Sequence, residues 1–121
     1  MAWIFLNDAF LSIVVDAQQE GNFLVRARLA PDINRVFPRA EVSSDESRDY
    51  LFRASIPRIE VVEALADRLE LIDYTNFKGS IAANRHARHD AYLGVWRVMH
   101  SLQNRFQRAT KAMRKKEGEL L

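Results

Sequence analysis

The chain has 121 residues, 48% of them apolar and 28% charged, which fits one globular domain with a single core. It contains no cysteine, which excludes disulfide scaffolds, zinc knuckles and thiol catalysis and favours a reducing compartment. No apolar run reaches the roughly 18 residues that a membrane span needs, so we expect a cytoplasmic protein without membrane contact.

The net charge of +2 conceals an asymmetry along the chain. Residues 1–84 carry nine Lys or Arg against thirteen Asp or Glu, whereas residues 85–121 carry nine against three. The basic excess therefore lies in the C-terminal third. Such a segment can meet an anionic partner, although a solvated helix face has the same composition.

The first half of the chain predicts strands separated by turns. Five segments are predicted to be strands: 3–6, 10–15, 23–29, 40–43 and 50–56. Asn7 and Asp8 supply turn chemistry between the first two. A short helix is predicted from Pro31, which suits a first helical position, and Pro38 closes it.

The second half predicts helices. The helix that opens at Pro57 and ends near residue 74 has a set of apolar residues at helical spacing, and we expect this face to be buried. These residues are Ile59, Val62, Leu65, Ala66, Leu69 and Ile72. The segment 75–80 (TNFKGS) breaks the pattern, and a last helix is predicted to start at 84–86 and to run to about 116.

The order of these elements predicts an α+β fold with an antiparallel sheet and a long C-terminal helix. A permuted ferredoxin-like arrangement (ββαββα), with the N-terminal strand in the place of the usual last strand, satisfies all the connections. We expect a sheet domain at 1–83 and a helix at 84–121 that packs on it and extends into a basic tail, within a single domain.

Alternation along two strands, which we expect to be neighbours, assigns their side chains to opposite faces of the sheet. The residues expected in the core are Val25, Ala27, Leu29, Tyr50, Phe52, Ala54 and Ile56. The face away from the helices would collect Arg26, Arg28 and Arg53. RNA-binding sheets add aromatic platforms to such cations, but the residues predicted beside these arginines are Leu24, Leu51 and Ser55. The alternative is a face covered by the C-terminal helix or by a partner chain, with the arginines paired to acidic residues.

The segment RHARHDAYLGVW, residues 85–96, places His86, His89 and Asp90 on one helical face. Two imidazoles and a carboxylate could hold Zn²⁺ or Fe²⁺ in a hydrolase. Metal phosphohydrolases need a further upstream histidine, however, and the neighbouring Arg85 and Arg88 would repel a cation. We therefore favour a plain helix start, with Asp90 near the positive end of the helix dipole, and expect no metal and no cofactor.

The strongest pattern in the chain is an a/d heptad series in the last helix. Its members are Tyr92, Val95, Met99, Leu102, Phe106, Ala109 and Met113. Residues 92–99 are expected to pack on the domain, but beyond Leu102 the helix outruns a sheet about 20 Å across. The part of the series from Leu102 through Phe106 and Ala109 to Met113 would then form a seam between two copies of the chain. A helix folded back on its own sheet is the alternative.

Four segments, taken together, resemble a family of short uncharacterised bacterial and phage proteins. They are Trp3–Phe5, Val25–Arg28, Asp73–Lys78 and Arg88–Trp96. The resemblance covers about residues 3–100, and it implies that the last two segments form two sides of one packed corner. It implies no activity.

No nucleophile elbow, phosphate-binding glycine loop or dinucleotide fingerprint is present in the sequence. We expect a non-enzymatic interaction module whose partner is a macromolecule, foremost a protein, as in adaptors or phage inhibitors. The second hypothesis is weak nucleic-acid binding through the sheet arginines and the basic part of the last helix. The helix residues concerned are Arg105, Arg108, Lys111, Arg114, Lys115 and Lys116. The third hypothesis is the metal-dependent hydrolase.

Overall fold

The computed structural model describes residues 1–120 and shows an α+β fold. In chain order the elements are β1 (Ala2–Phe5), β2 (Phe10–Val15), β3 (Asn22–Ala27), α1 (Ala30–Val36), β4 (Ser43–Ser44), β5 (Phe52–Pro57), α2 (Arg58–Glu70), α3 (Phe77–Ser80) and α4 (His86–Leu120). The chain divides into two compact units, of which the first ends at Ala82 and the second begins at Ala83. The first unit holds the sheet and the second holds α4.

The five strands form one antiparallel sheet in the order β1-β2-β3-β5-β4. β3 and β5 are neighbours, as the alternation argument predicted, with Val25 opposite Ala54. Gly21, at φ +82°, supplies the left-handed residue that the turn between β2 and β3 requires. The antiparallel sheet and the long C-terminal helix are confirmed, whereas the permuted ferredoxin-like arrangement stays a prediction.

The core of the first unit lies between one face of the sheet and the helices α1 and α2. Because side chains alternate along each strand, every second residue of β2, β3 and β5 points into it. The buried core residues include Leu11, Ile13, Val25, Ala27, Ile33, Val36, Ala54, Ile56 and Val61. The predicted inward face of the central strands is therefore confirmed at Val25, Ala27, Ala54 and Ile56.

Three predictions near the strand ends are wrong. Leu29 is exposed because β3 ends at Ala27, so Leu29 lies in the connection to α1 rather than in the sheet. Tyr50 is buried as predicted, at 4% exposed, but it precedes β5 and its ring contacts Arg28 rather than the core cluster. The predicted strand at 40–43 is reduced to the two-residue β4.

The predicted buried face of α2 is also wrong, except at Leu65, which packs against the core. The side chain of Val61 is only 2% exposed and packs on the core, with Ala64 and Leu65 partly buried beside it. Three apolar residues of the predicted face are more than half exposed: Ile59, Val62 and Leu69. Both sets of residues have helical spacing, so periodicity alone could not decide which of them meets the sheet.

The helices also differ in extent from the prediction. α2 ends at Glu70 rather than near 74, and the segment 75–80 contains the single turn α3, where Asn76 accepts a hydrogen bond from the Gly79 N–H. α4 continues past residue 116 to Leu120. Among the described residues, no helix combines the length and the apolar character that crossing a membrane requires.

Candidate functional site

One surface stands out in the second unit, and we call it the α4 stripe. It consists of Val95, Met99, Leu102, Phe106, Ala109 and Met113. All six are exposed, and their large side chains range from 37% exposed at Val95 to 67% at Phe106. Tyr92, the first member of the heptad series, is buried and receives a hydrogen bond from Arg88 Nη1 at 3.0 Å. At 1.5 Å per residue the exposed stripe is about 27 Å long.

Basic side chains border the α4 stripe. α4 carries eight Lys or Arg against three Asp or Glu. The six residues predicted to bind anions are all exposed: Arg105, Arg108, Lys111, Arg114, Lys115 and Lys116. At 3.6 residues per turn, Arg105 and Lys116 lie along one edge of the stripe and Arg114 along the other. A surface that covers the stripe therefore meets positive charge on both sides.

The histidines near the start of α4 do not assemble a metal site. Within residues 1–120, no group of three or more His, Cys, Asp or Glu side chains is placed to hold a metal ion. His89 Nδ1 lies 3.6 Å from Asp90 Oδ1, and both side chains are exposed. The predicted dipole role of Asp90 is wrong, because α4 begins at His86 and has no acidic residue in its first turn. His100 stacks on Trp96, with 4.9 Å between the ring centroids.

A second surface lies on the face of the sheet opposite the core. The strand register places Trp3, Ser12, Arg26 and Arg53 in one row across four strands. Arg26 Nη2 donates a hydrogen bond to Ser12 Oγ at 2.8 Å and contacts Met1 Sδ at 3.4 Å. The prediction that Arg26 and Arg53 come together on this face is confirmed by their direct opposition in the register.

Aromatic side chains accompany these arginines, contrary to the prediction. The guanidinium carbons of Arg26 and Arg28 lie 4.6 and 4.2 Å from the centroid of the Tyr50 ring. Trp3 Nε1 donates a hydrogen bond to the Tyr50 hydroxyl at 3.0 Å. Tyr50 is 4% exposed and holds the arginines in place, whereas Trp3 is 55% exposed to solvent. We call this surface the arginine face, comprising Trp3, Ser12, Arg26, Arg28, Tyr50 and Arg53.

Little negative charge balances the arginine face. Arg28 forms an ion pair with Asp49 at 3.3 Å, but both side chains are exposed and the pair is screened by solvent. The Nε atoms of Arg26 and Arg53 are buried without a hydrogen-bond partner. Asp49 lies in the segment before β5 and not on a covering helix or partner chain, so the predicted covering of this face stays a prediction.

A polar network borders the arginine face without forming a catalytic set. Ser55 Oγ donates to Asp16 Oδ2 and accepts a hydrogen bond from Asn22 Nδ2 at 2.9 Å. The hydrogen bond from Ser55, followed by that from the Gln18 N–H, holds the pKa of Asp16 below its ordinary value. A carboxylate of lowered pKa is a weak base, and the three histidines of the chain all belong to the second unit. The network links the β2–β3 hairpin to β5.

Comparisons of this chain with protein-family models, with curated proteins and with solved structures find no match. The resemblance seen at four segments of the sequence therefore stays a prediction. What the two surfaces can bind must be argued from their chemistry.

Proposed function

We propose that the protein is a non-enzymatic protein-binding module and that the α4 stripe is its contact surface. The exposed row of large apolar side chains on α4 is the observation that carries this proposal. Contiguous apolar patches on monomeric proteins mark interaction sites more often than not. Burying a Leu and a Phe contributes roughly 1.5–3 kcal/mol each, which makes these two side chains the main anchors of such a contact.

The spacing of the stripe indicates how the partner is recognised. Leu102, Phe106, Ala109 and Met113 recur at steps of four, three and four residues, as in amphipathic helices that lie in an apolar groove. The basic borders of the stripe favour a partner whose apolar surface has an acidic rim. An adaptor or an inhibitor fits this description, and the lack of cysteine supports a place in the reducing cytoplasm.

A pull-down with matched variants tests the proposal. Phe106→Asp places a charge within the stripe, whereas Asn104→Asp places the same charge on the opposite face of α4. Nuclease-treated lysate of the source cells is passed over the immobilised wild-type protein and both variants. We expect a protein that the wild type and Asn104→Asp retain and that Phe106→Asp loses. Equal retention by all three would contradict the proposal.

The arginine face favours a second candidate function, the binding of single-stranded nucleic acid. The exposed ring of Trp3 beside Arg26 and Arg28 has the combination of stacking surface and cations that such sites use. Stacking of one base contributes about 1–3 kcal/mol, so Trp3→Ala should weaken binding of a single-stranded oligonucleotide about tenfold. Trp96→Ala removes another half-exposed indole and is the control. Equal affinity of the two variants would contradict this candidate.

A further inference from the structure

We propose that the partner of the α4 stripe is a second copy of this chain, and that α2 of that copy is the docking surface. In the resulting dimer, α4 of each copy lies on the exposed face of α2 of the other. This inference depends on the proposed function, because it names the partner of the same stripe.

α2 presents an apolar stripe of its own to solvent, which we call the α2 stripe. It consists of Ile59, Val62, Ala66 and Leu69, all exposed. Their spacing of three, four and three residues places them within one arc of the helix surface. The opposite face of α2 is fixed to the sheet by the buried Val61. The α2 stripe is therefore a preformed surface that needs no rearrangement to bind a helix.

The charges of the two helices are complementary. α2 carries four Asp or Glu against two Arg, and α4 carries eight Lys or Arg against three Asp or Glu. Glu63 and Glu70 lie along the solvent edge of the α2 stripe and would face the basic border of the α4 stripe. A seam between two α4 helices, in contrast, would place Arg105 and Lys116 beside the same residues of the partner. Electrostatics therefore favours α2 over α4 as the docking surface.

The two stripes also agree in length and spacing. α2 has 13 residues and is about 20 Å long. The segment of α4 from Leu102 to Met113 spans about 17 Å and contains four stripe residues, as many as the α2 stripe. Both rows follow the three–four spacing that lets side chains of facing helices interdigitate. Because the contact is reciprocal, one dimer buries both pairs of stripes.

Disulfide crosslinking tests the proposal directly, because the chain has no cysteine of its own. Ala66→Cys and Ala109→Cys each place one thiol at an exposed alanine within its stripe. The two variants are purified separately, mixed and oxidised, and the linked species are identified by mass spectrometry. We expect a mixed Ala66→Cys/Ala109→Cys dimer at about ten times or more the yield of either variant alone, since docking raises the local thiol concentration. Asn104→Cys, on the opposite face of α4, is the control and should not link to Ala66→Cys above background.

Three results would overturn the inference. Efficient linkage of Ala109→Cys to itself would show an α4–α4 seam. A doubly substituted chain that forms its disulfide within one monomer would show that α4 covers its own α2. Absence of any linkage, with circular dichroism showing that the variants are folded, would exclude self-docking, and a protein captured in the pull-down would then leave the proposed function standing.

Discussion

At the scale of single residues, the buried carboxylate of Asp32 joins α1 to the sheet. The residue is 1% exposed, and its Oδ2 accepts the Phe10 N–H at 3.0 Å while Oδ1 lies 3.3 Å from Arg35 Nη1. Phe10 begins β2, so this contact fixes the start of a strand against the first helix. Removing a buried acceptor of this kind costs more free energy than its hydrogen bond contributes to stability, because the donor is left buried without a partner.

Replacing Asp32 tests this role. Asp32→Ala leaves the Phe10 N–H unpaired and should lower the free energy of unfolding by about 1–3 kcal/mol. Asp32→Asn retains an acceptor oxygen and should be less destabilising. Urea unfolding followed by circular dichroism measures both values. Equal losses in the two variants would show that the hydrogen bond to Phe10 does not matter.

Asp16 predicts a pH dependence of stability. The hydrogen bond from Ser55 lowers the pKa of Asp16 in the folded state. The contribution of ionised Asp16 to the stability of the fold is therefore complete above the unfolded pKa of about 3.9, and it is lost as the pH falls through the folded pKa. Ser55→Ala removes the largest cause of the shift. The wild type should therefore exceed Ser55→Ala in stability near neutral pH, and the gap should close in acid. A gap that does not narrow as the pH falls from neutral into acid would contradict this assignment.

At the scale of elements, the sequence pattern correctly assigned side chains to a face wherever the assignment depends only on local spacing. Strand alternation placed Val25 and Ala54 in the core and Arg26 beside Arg53, because each strand has only two faces. α2 has apolar residues around more than one face, so its spacing was compatible with two orientations. The face that includes Val61 is the one that packs on the sheet, and no local pattern in the sequence indicates this.

Substitution of two adjacent valines in α2 tests which face of the helix packs against the sheet. Val61 is 2% exposed and Val62 is 56% exposed, although the two side chains are identical. Val61→Ala should lower the free energy of unfolding by about 1–3 kcal/mol through lost burial and a cavity. With both substitutions made in the Phe106→Asp background, where no second copy covers the α2 stripe, Val62→Ala should change it by less than about 0.5 kcal/mol. Thermal unfolding of the pair decides between the faces, and the reverse ranking would mean that the predicted face meets the sheet.

At the scale of the whole molecule, the α4 stripe could be predicted from the sequence and the complete arginine face could not. The α4 stripe follows from a heptad series that is visible in the sequence. The aromatic part of the arginine face does not, because Trp3 and Tyr50 are 47 residues apart and meet only once the sheet is assembled. Tyr50 also lies outside β5, where strand alternation no longer assigns a face. Contacts between distant segments depend on the strand order of the sheet, which the spacing of residues in the sequence does not predict.

Association of the two copies should depend on salt. Raising the ionic strength from about 0.01 M to 0.15 M shortens the Debye length from about 30 Å to 8 Å. Docking of a basic α4 on an acidic α2 should weaken under this change, because the attraction between them is screened. A seam between two basic helices should instead strengthen, because screening removes repulsion.

The decisive test of docking between α4 of one copy and α2 of another is sedimentation equilibrium. The full chain is measured at micromolar concentration over this range of ionic strength. We predict a reversible dimer whose dissociation constant rises with salt, and a folded, monomeric Phe106→Asp variant beside a dimeric Asn104→Asp control. A wild-type chain that is monomeric at every concentration and ionic strength, or a dimer that tightens as salt is added, would contradict the claim that α4 of one copy docks on α2 of another.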